Sequence, residues 1–142
     1  MLTRDQIVAE ARTWIDTPFH HQGRLKGVGV DCVGVIVEVA HALGISSYDT
    51  LDYAPNPNPQ AMRAELEAHL DRIDFAAAQP GDILWFRIEL DPQHLRILTV
   101  AGSEPWMVHA FHRRGVDRVI EQRVPDWWRR RVVGCYRYRG VA

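Results

Sequence analysis

The sequence predicts an α+β domain in which N-terminal helices pack on an antiparallel sheet of about five to six strands. Two observations carry that prediction. Apolar residues recur at helical spacing through the first half of the chain. From about residue 83 the pattern changes to short β-branched and aromatic runs separated by turn residues. A length of 142 residues, with no repeat and no linker, fits one domain spanning 1–142.

The first helix is expected over Thr3 to Trp14. Thr3 and Gln6 form a T-x-x-Q capping box, and Ile7, Ala11, Trp14 and Ile15 share one face. Thr17 precedes Pro18 and so avoids the helical region, which ends the element. A loop rich in His, Gln and Gly follows from Phe19 to Val30, where Gly27 and Gly29 permit unusual backbone angles. The second helix starts at Asp31 or Cys32 and stops at Gly44, a natural C′ residue. Asp31 is its expected N-cap, and Val35, Ile36, Val39 and Leu43 its buried face.

YAPNPNPQ (53–60) contains three prolines and is expected to be an extended surface loop. A third helix is predicted over Pro59 to Ile73, with Met62, Leu66 and Leu70 in one stripe. Strands are predicted over 83–88, 95–100, 106–111, 116–124 and 132–138. GSEPW (102–106) is expected to be an expanded loop between two of them.

Composition narrows the function. Seventeen basic and eighteen acidic residues give a net charge of −1, which argues against the broad basic face of a general nucleic-acid binder. No apolar stretch approaches the roughly 20 residues that span a bilayer. MLTRDQIVAEARTWI alternates charged and apolar residues unlike a secretory leader, so synthesis in the cytoplasm is expected. Cys32 and Cys135 make no disulfide framework, and two free thiols are expected.

GVDCVG (29–34) is the stretch that bears on chemistry. Two readings of Cys32 stand: a small buried hydrophobe, or a nucleophile whose thiolate is favoured by the helix N-terminus. The second reading expects ionisation below the reference thiol value of about 8.5. A nucleophilic thiol needs a base and an orienter. His94 and His109 lie on predicted neighbouring strands, where they could stand side by side toward the Cys32 helix; otherwise they are partly exposed strand histidines. Cys32, His94 and His109 offer zinc-ligand chemistry in principle. His109 and His112 have an H-x-x-H spacing, but i and i+3 on a strand point to opposite faces. No metal or cofactor is expected.

PF (18–19), GVDCVG (29–34), PGDILWF (80–86), HLRILT (94–99) and MVHA (107–110) occur in the order seen in NlpC/P60 papain-like cysteine peptidases, which this chain resembles across residues 18–110. TPFHHQG (17–23) and DWWRRRVVG (126–134) further resemble the small members found in phage tails and gene transfer agents. The resemblance implies a papain-like fold, with Cys32 as nucleophile, His94 as general base and His109 as the residue orienting it. It implies cleavage of bacterial cell-wall stem peptides, often at γ-D-glutamyl–diaminopimelate, by a virion-associated enzyme delivered by the particle. Tail or hub proteins are the implied partners, with Trp127, Trp128, Arg129, Arg130 and Arg131 as a docking surface; one tryptophan is expected in the core and the arginines in solvent. Many relatives carry tyrosine at Phe19, so another donor, the Cys32 N–H with His21 or Gln22, would have to hold the oxyanion. Arg96 stands where a glycine commonly follows the base. A structural tail component with an idle peptidase fold, or an amidase or acyltransferase, is the alternative.

Overall fold

The computed structural model describes residues 2–55, 57–87, 94–113 and 115–141. Helix α1 covers Arg4–Arg12 and ends two residues earlier than expected, because the chain passes into turns at Thr13 and Trp14. Its capping box is formed: the Thr3 hydroxyl accepts from the Gln6 N–H, and the Gln6 side chain accepts from the Thr3 N–H at 2.8 Å. A short hairpin follows, β1 (Arg24–Leu25) and β2 (Gly29–Val30). Helix α2 is Cys32–Ala42, capped by Asp31 and closed by Gly44 at φ 68°.

Helix α3 is Pro59–His69, with Met62 and Leu66 buried and Leu70 completing the stripe just beyond it. The helix expected to reach Ile73 ends earlier, because Leu70 turns extended (φ −127°, ψ 162°). Asp71–Ile73 then forms β3, whose pairing partner lies more than sixty residues away. Four longer strands follow: β4 (Ile83–Phe86), β5 (His94–Ala101), β6 (Glu104–Arg113) and β7 (Val116–Arg123). β8 is Val132–Arg137, after a 3₁₀ turn over Asp126–Arg131. Ile88 and Asn56, placed in a strand and a loop by sequence, lie outside the described residues.

The large sheet has the order β3-β8-β4-β5-β6-β7 with every pair antiparallel. Most of GSEPW is strand. Ala101 pairs with Glu104, leaving a two-residue turn in which Gly102 takes φ 64°, and Glu104 to Trp106 belong to β6. Gly at the first turn position suits a tight hairpin of this kind.

Strand alternation gives the sheet two buried faces. Trp85, Leu95, Ile97, Val108, Ala110 and Val119 meet α1 and α2 through Ile7, Ala11, Val35 and Val39. On the opposite face Leu84, Phe86, Leu98, Met107 and Cys135 pack with Val124 and Trp128. Complete burial of an aliphatic side chain such as Ile97 or Val39 stabilises by about 1.5–3 kcal/mol. The PGD turn supplies a charged clamp. The buried Asp82 carboxylate accepts from Arg4 Nη1 at 2.9 Å, from Arg137 Nε and Nη2 at 3.0 and 2.9 Å, and from the Gln79 N–H at 2.8 Å. It thereby ties α1 and β8 to the turn before β4.

Candidate active site

Asp31 shapes the start of α2. Its carboxylate accepts from the Gly34 N–H at 2.8 Å, the Gln22 N–H at 2.8 Å, Arg24 Nη1 at 3.1 Å and the Tyr53 hydroxyl at 2.7 Å. Arg24 Nη2 donates in turn to the Tyr53 hydroxyl at 2.8 Å. Asp31 is therefore both N-cap and anchor, pinning the 20–25 loop and Tyr53 to the helix N-terminus. Gly34 has to be glycine, since a Cβ there would lie 2.5 Å from the Gly23 carbonyl oxygen and 2.6 Å from Val30 Cγ2. Gly27 has the left-handed backbone expected of it, at φ 78°, whereas Gly29 is needed for space: its Cβ would stand 2.8 Å from His20 Cβ.

Cys32 follows as the first residue of α2, half-buried and free. The backbone N–H dipoles of Leu95 and Val33 act on its sulfur. Those dipoles and the Arg96 charge favour the thiolate. Burial and the adjacent Asp31 carboxylate oppose it and win, pushing the Cys32 thiol up to about 11. The sequence expectation of a thiol acidified by the helix N-terminus is thus reversed in the resting structure. Desolvation and a like charge outweigh the helix dipole here. Cys135, buried on the other face and near Asp82, is pushed up to about 12.

His94 opens β5, one residue before the Leu95 amide that acts on the sulfur. His109 lies on β6, the neighbouring strand, and is buried. His109 shares strand parity with Met107, which places it on the sheet face opposite α2. His94 and Arg96 are close enough for their charges to disfavour a charged His109; burial is the larger cause, and together they hold its pKa well below the usual histidine value. His109 Nε2 lies 2.8 Å from Gln122 Oε1. A cavity of about 270 Å³ opens beside His94; its lining includes Arg96, His112, Arg113 and Gln122 and, among the described residues, no carboxylate.

The other sequence candidates have settled partners. Phe19 stacks on His112 at 4.5 Å, and its N–H donates to the Asp117 carbonyl at 2.8 Å. The Gln22 amide nitrogen donates to the carbonyls of Leu51 and Tyr53, so its side chain is committed to that loop. His21 meets Tyr53 edge-on at 5.5 Å, with Nδ1 3.8 Å from Asp31 Oδ2. His112 bonds Asp117 at 2.6 Å. No group of three His, Cys, Asp or Glu side chains is arranged for a metal among the described residues.

Sequence reasoning missed Gln122 and the reason for Arg96. The Arg96 guanidinium is buried between the rings of Trp128 and Phe86, at 4.4 and 5.1 Å. Trp128 packs inward while Trp127 is exposed, the division expected of the WW pair, and Arg129 and Arg130 are exposed. The WW segment thus covers the buried Arg96 of β5. An inward-parity Gln122 on a strand of otherwise alternating residues was the signal available for the first.

No family model and no curated protein matches the chain. Solved structures do. The NlpC/p60 domain of peptidoglycan hydrolase SagA is 21% identical, with a TM-score of 0.63 over 95% of this chain and 98% of that one. An NLP/P60 lipoprotein-like protein of Staphylococcus aureus is 20% identical, with a TM-score of 0.63 over 95% of this chain and 41% of its own. An NlpC/P60 protein of Bacillus cereus is 18% identical, with a TM-score of 0.66 over 96% of this chain and 40% of its own. The chain therefore spans less than half of the latter two proteins. Helices on one face, the six-stranded antiparallel sheet and a cysteine opening α2 together make the fold that of NlpC/P60 domains.

Proposed function

We propose that the chain is a cysteine peptidase that hydrolyses peptidoglycan stem peptides, at γ-D-glutamyl–diaminopimelate. One observation carries the reading: Cys32 opens α2 with its thiol acted on by the Leu95 backbone N–H, at the start of the strand that opens with His94. The SagA domain, which shares this fold and belongs to a peptidoglycan hydrolase, supports the substrate. So does the cavity beside His94, whose basic lining suits the carboxylates of a stem peptide.

In this mechanism the thiol is neutral at rest, so His94 takes its proton as the sulfur attacks the scissile carbonyl. The tetrahedral intermediate collapses when His94 returns that proton to the leaving amine, and the acyl group stays on Cys32 as a thioester. Water, deprotonated by His94, then attacks the thioester and releases a carboxylic acid and the free thiol. His109, held neutral, carries at Nδ1 the lone pair that would accept from His94 and aim its ring as the base takes up its proton. Phe19 has no hydroxyl and Gln22 is engaged, so the Cys32 N–H and His21 are assigned the oxyanion. The Cys32 N–H belongs to the first turn, where helix donors lack intrahelical partners.

The phage-tail resemblance of TPFHHQG and DWWRRRVVG, with Trp127 exposed beside arginines, supports a virion-borne enzyme docked through that segment. The high Cys32 pKa and the bulk of Arg96 favour a second reading, a tail component with an idle site. Purified stem-peptide fragments incubated with wild type, Cys32→Ala and His94→Ala separate the two. Peptidase action gives new termini at one bond with wild type alone. Equal product from wild type and Cys32→Ala refutes it.

A further inference from the structure

A second cavity, of about 420 Å³, lies between α2, α3 and the connection that joins them. Its volume is in the range of small-molecule sites, about 300–1,000 Å³. The wall is apolar: Val33, Val37 and Ala40 from α2, Met62 and Leu66 from α3, and Leu95 from β5. Val33 directly follows Cys32 in α2, and Leu95 directly follows His94 in β5. The cavity and the thiol therefore share a wall.

Its charge pattern is opposite to that beside His94. Asp52, Glu65 and His69 line it and, among the described residues, no Lys or Arg does. Glu65 and His69 lie on the solvent side, where Tyr48 stacks on His69 at 3.6 Å and donates to Glu65. An apolar interior under an acidic lip rejects a carboxylate, which would lose water and meet like charge. A neutral aliphatic group loses nothing on entry and gains burial.

We infer that this cavity is a subsite for a neutral aliphatic group of the substrate, an apolar side chain or an acyl chain, carried on the molecule whose carbonyl Cys32 attacks. The last clause rests on the peptidase reading; the binding claim does not. The site would select substrates with a polar, carboxylate-bearing portion toward His94 and an aliphatic portion toward α3.

The test is titration of full-length wild type and Cys32→Ala with octanamide, octanoate and the blocked peptide acetyl-Leu-Leu-amide, followed by backbone NMR shifts and calorimetry. Octanamide or the peptide should bind both proteins alike and shift Val37, Ala40 and Met62, and the tighter of the two identifies the source of the group. Octanoate should bind about tenfold more weakly or worse. Ala61→Phe, at an exposed position on the rim, should abolish binding without changing Tm. The inference is overturned if neither neutral probe binds, if octanoate binds as tightly, or if Ala61→Phe leaves affinity unchanged. Binding is read on the Cys32→Ala chain, so a failed peptidase assay does not decide this result, nor this result that assay.

Discussion

His109 Nε2 lies 2.8 Å from Gln122 Oε1, and this bond selects the tautomer of a buried, neutral imidazole. With the proton on Nε2, His109 Nδ1 keeps its lone pair, and no described side chain or backbone group satisfies it. That lone pair is what an orienter of His94 requires. Gln122→Leu should lower kcat about tenfold with little change in KM, consistent with the loss of one buried hydrogen bond of roughly 1 kcal/mol. Gln122→Glu, which preserves the acceptor, should recover much of the rate. Equal Tm losses without a kcat effect would reduce Gln122 to a packing residue.

Cys32 should be a slow thiol at rest. With its pKa raised to about 11, the iodoacetamide rate should climb continuously from pH 7 to 10, with no plateau near neutrality. Asp31→Asn removes the charge that disfavours the thiolate and retains a good N-cap. It should speed labelling at pH 8 while costing roughly 1–3 kcal/mol of stability from lost charged hydrogen bonds. Slower labelling in this variant would reverse the sign assigned to Asp31. Cys135 should label only on unfolding.

Stability should fall on both sides of neutrality, for different residues on each side. His109 has a lowered folded pKa, so its contribution is present above the unfolded value of about 6.5 and is lost as pH falls. Cys32 and Cys135 have raised ones, so their contributions are present below about 8.5 and are lost as pH rises toward the folded values. Denaturant titrations of His109→Gln should flatten the acid limb alone, and those of Cys32→Ala should flatten only part of the alkaline limb and leave the acid limb unchanged.

Signals that are local in the chain were legible. The Thr3–Gln6 box and the Asp31 cap each close within three residues, so both helix starts could be read before any tertiary contact was known. β3 could not: Asp71–Ile73 is extended because β8 pairs with it, and the apolar stripe before it runs smoothly on from a helix. The Cys32 environment divided the same way. Its place at a helix N-terminus followed from Gly and Asp spacing, but the thiol pKa depends on burial, and burial is set by packing against β5. Arg96 looked like a defect in a motif because Trp128, thirty-two residues away, is what accommodates it.

Arg96 and Trp128 should be energetically coupled. Trp128→Ala uncovers a buried guanidinium and should cost about 3–5 kcal/mol, whereas the same change in an Arg96→Gly background should cost less, by about 2 kcal/mol for a desolvated cation–π pair. A double-mutant cycle by urea unfolding measures the difference. Strict additivity would contradict the pairing.

The central claim is that Cys32 carries the substrate's acyl group during turnover. Acid quenching of wild type with stem-peptide substrate in the steady state, followed by intact-mass and peptide mapping, tests it most directly. We predict a mass increment equal to the acyl fragment, located on Cys32, labile to hydroxylamine and absent from Cys32→Ala. Turnover that persists in Cys32→Ala, or an acyl group on any other residue, would contradict it.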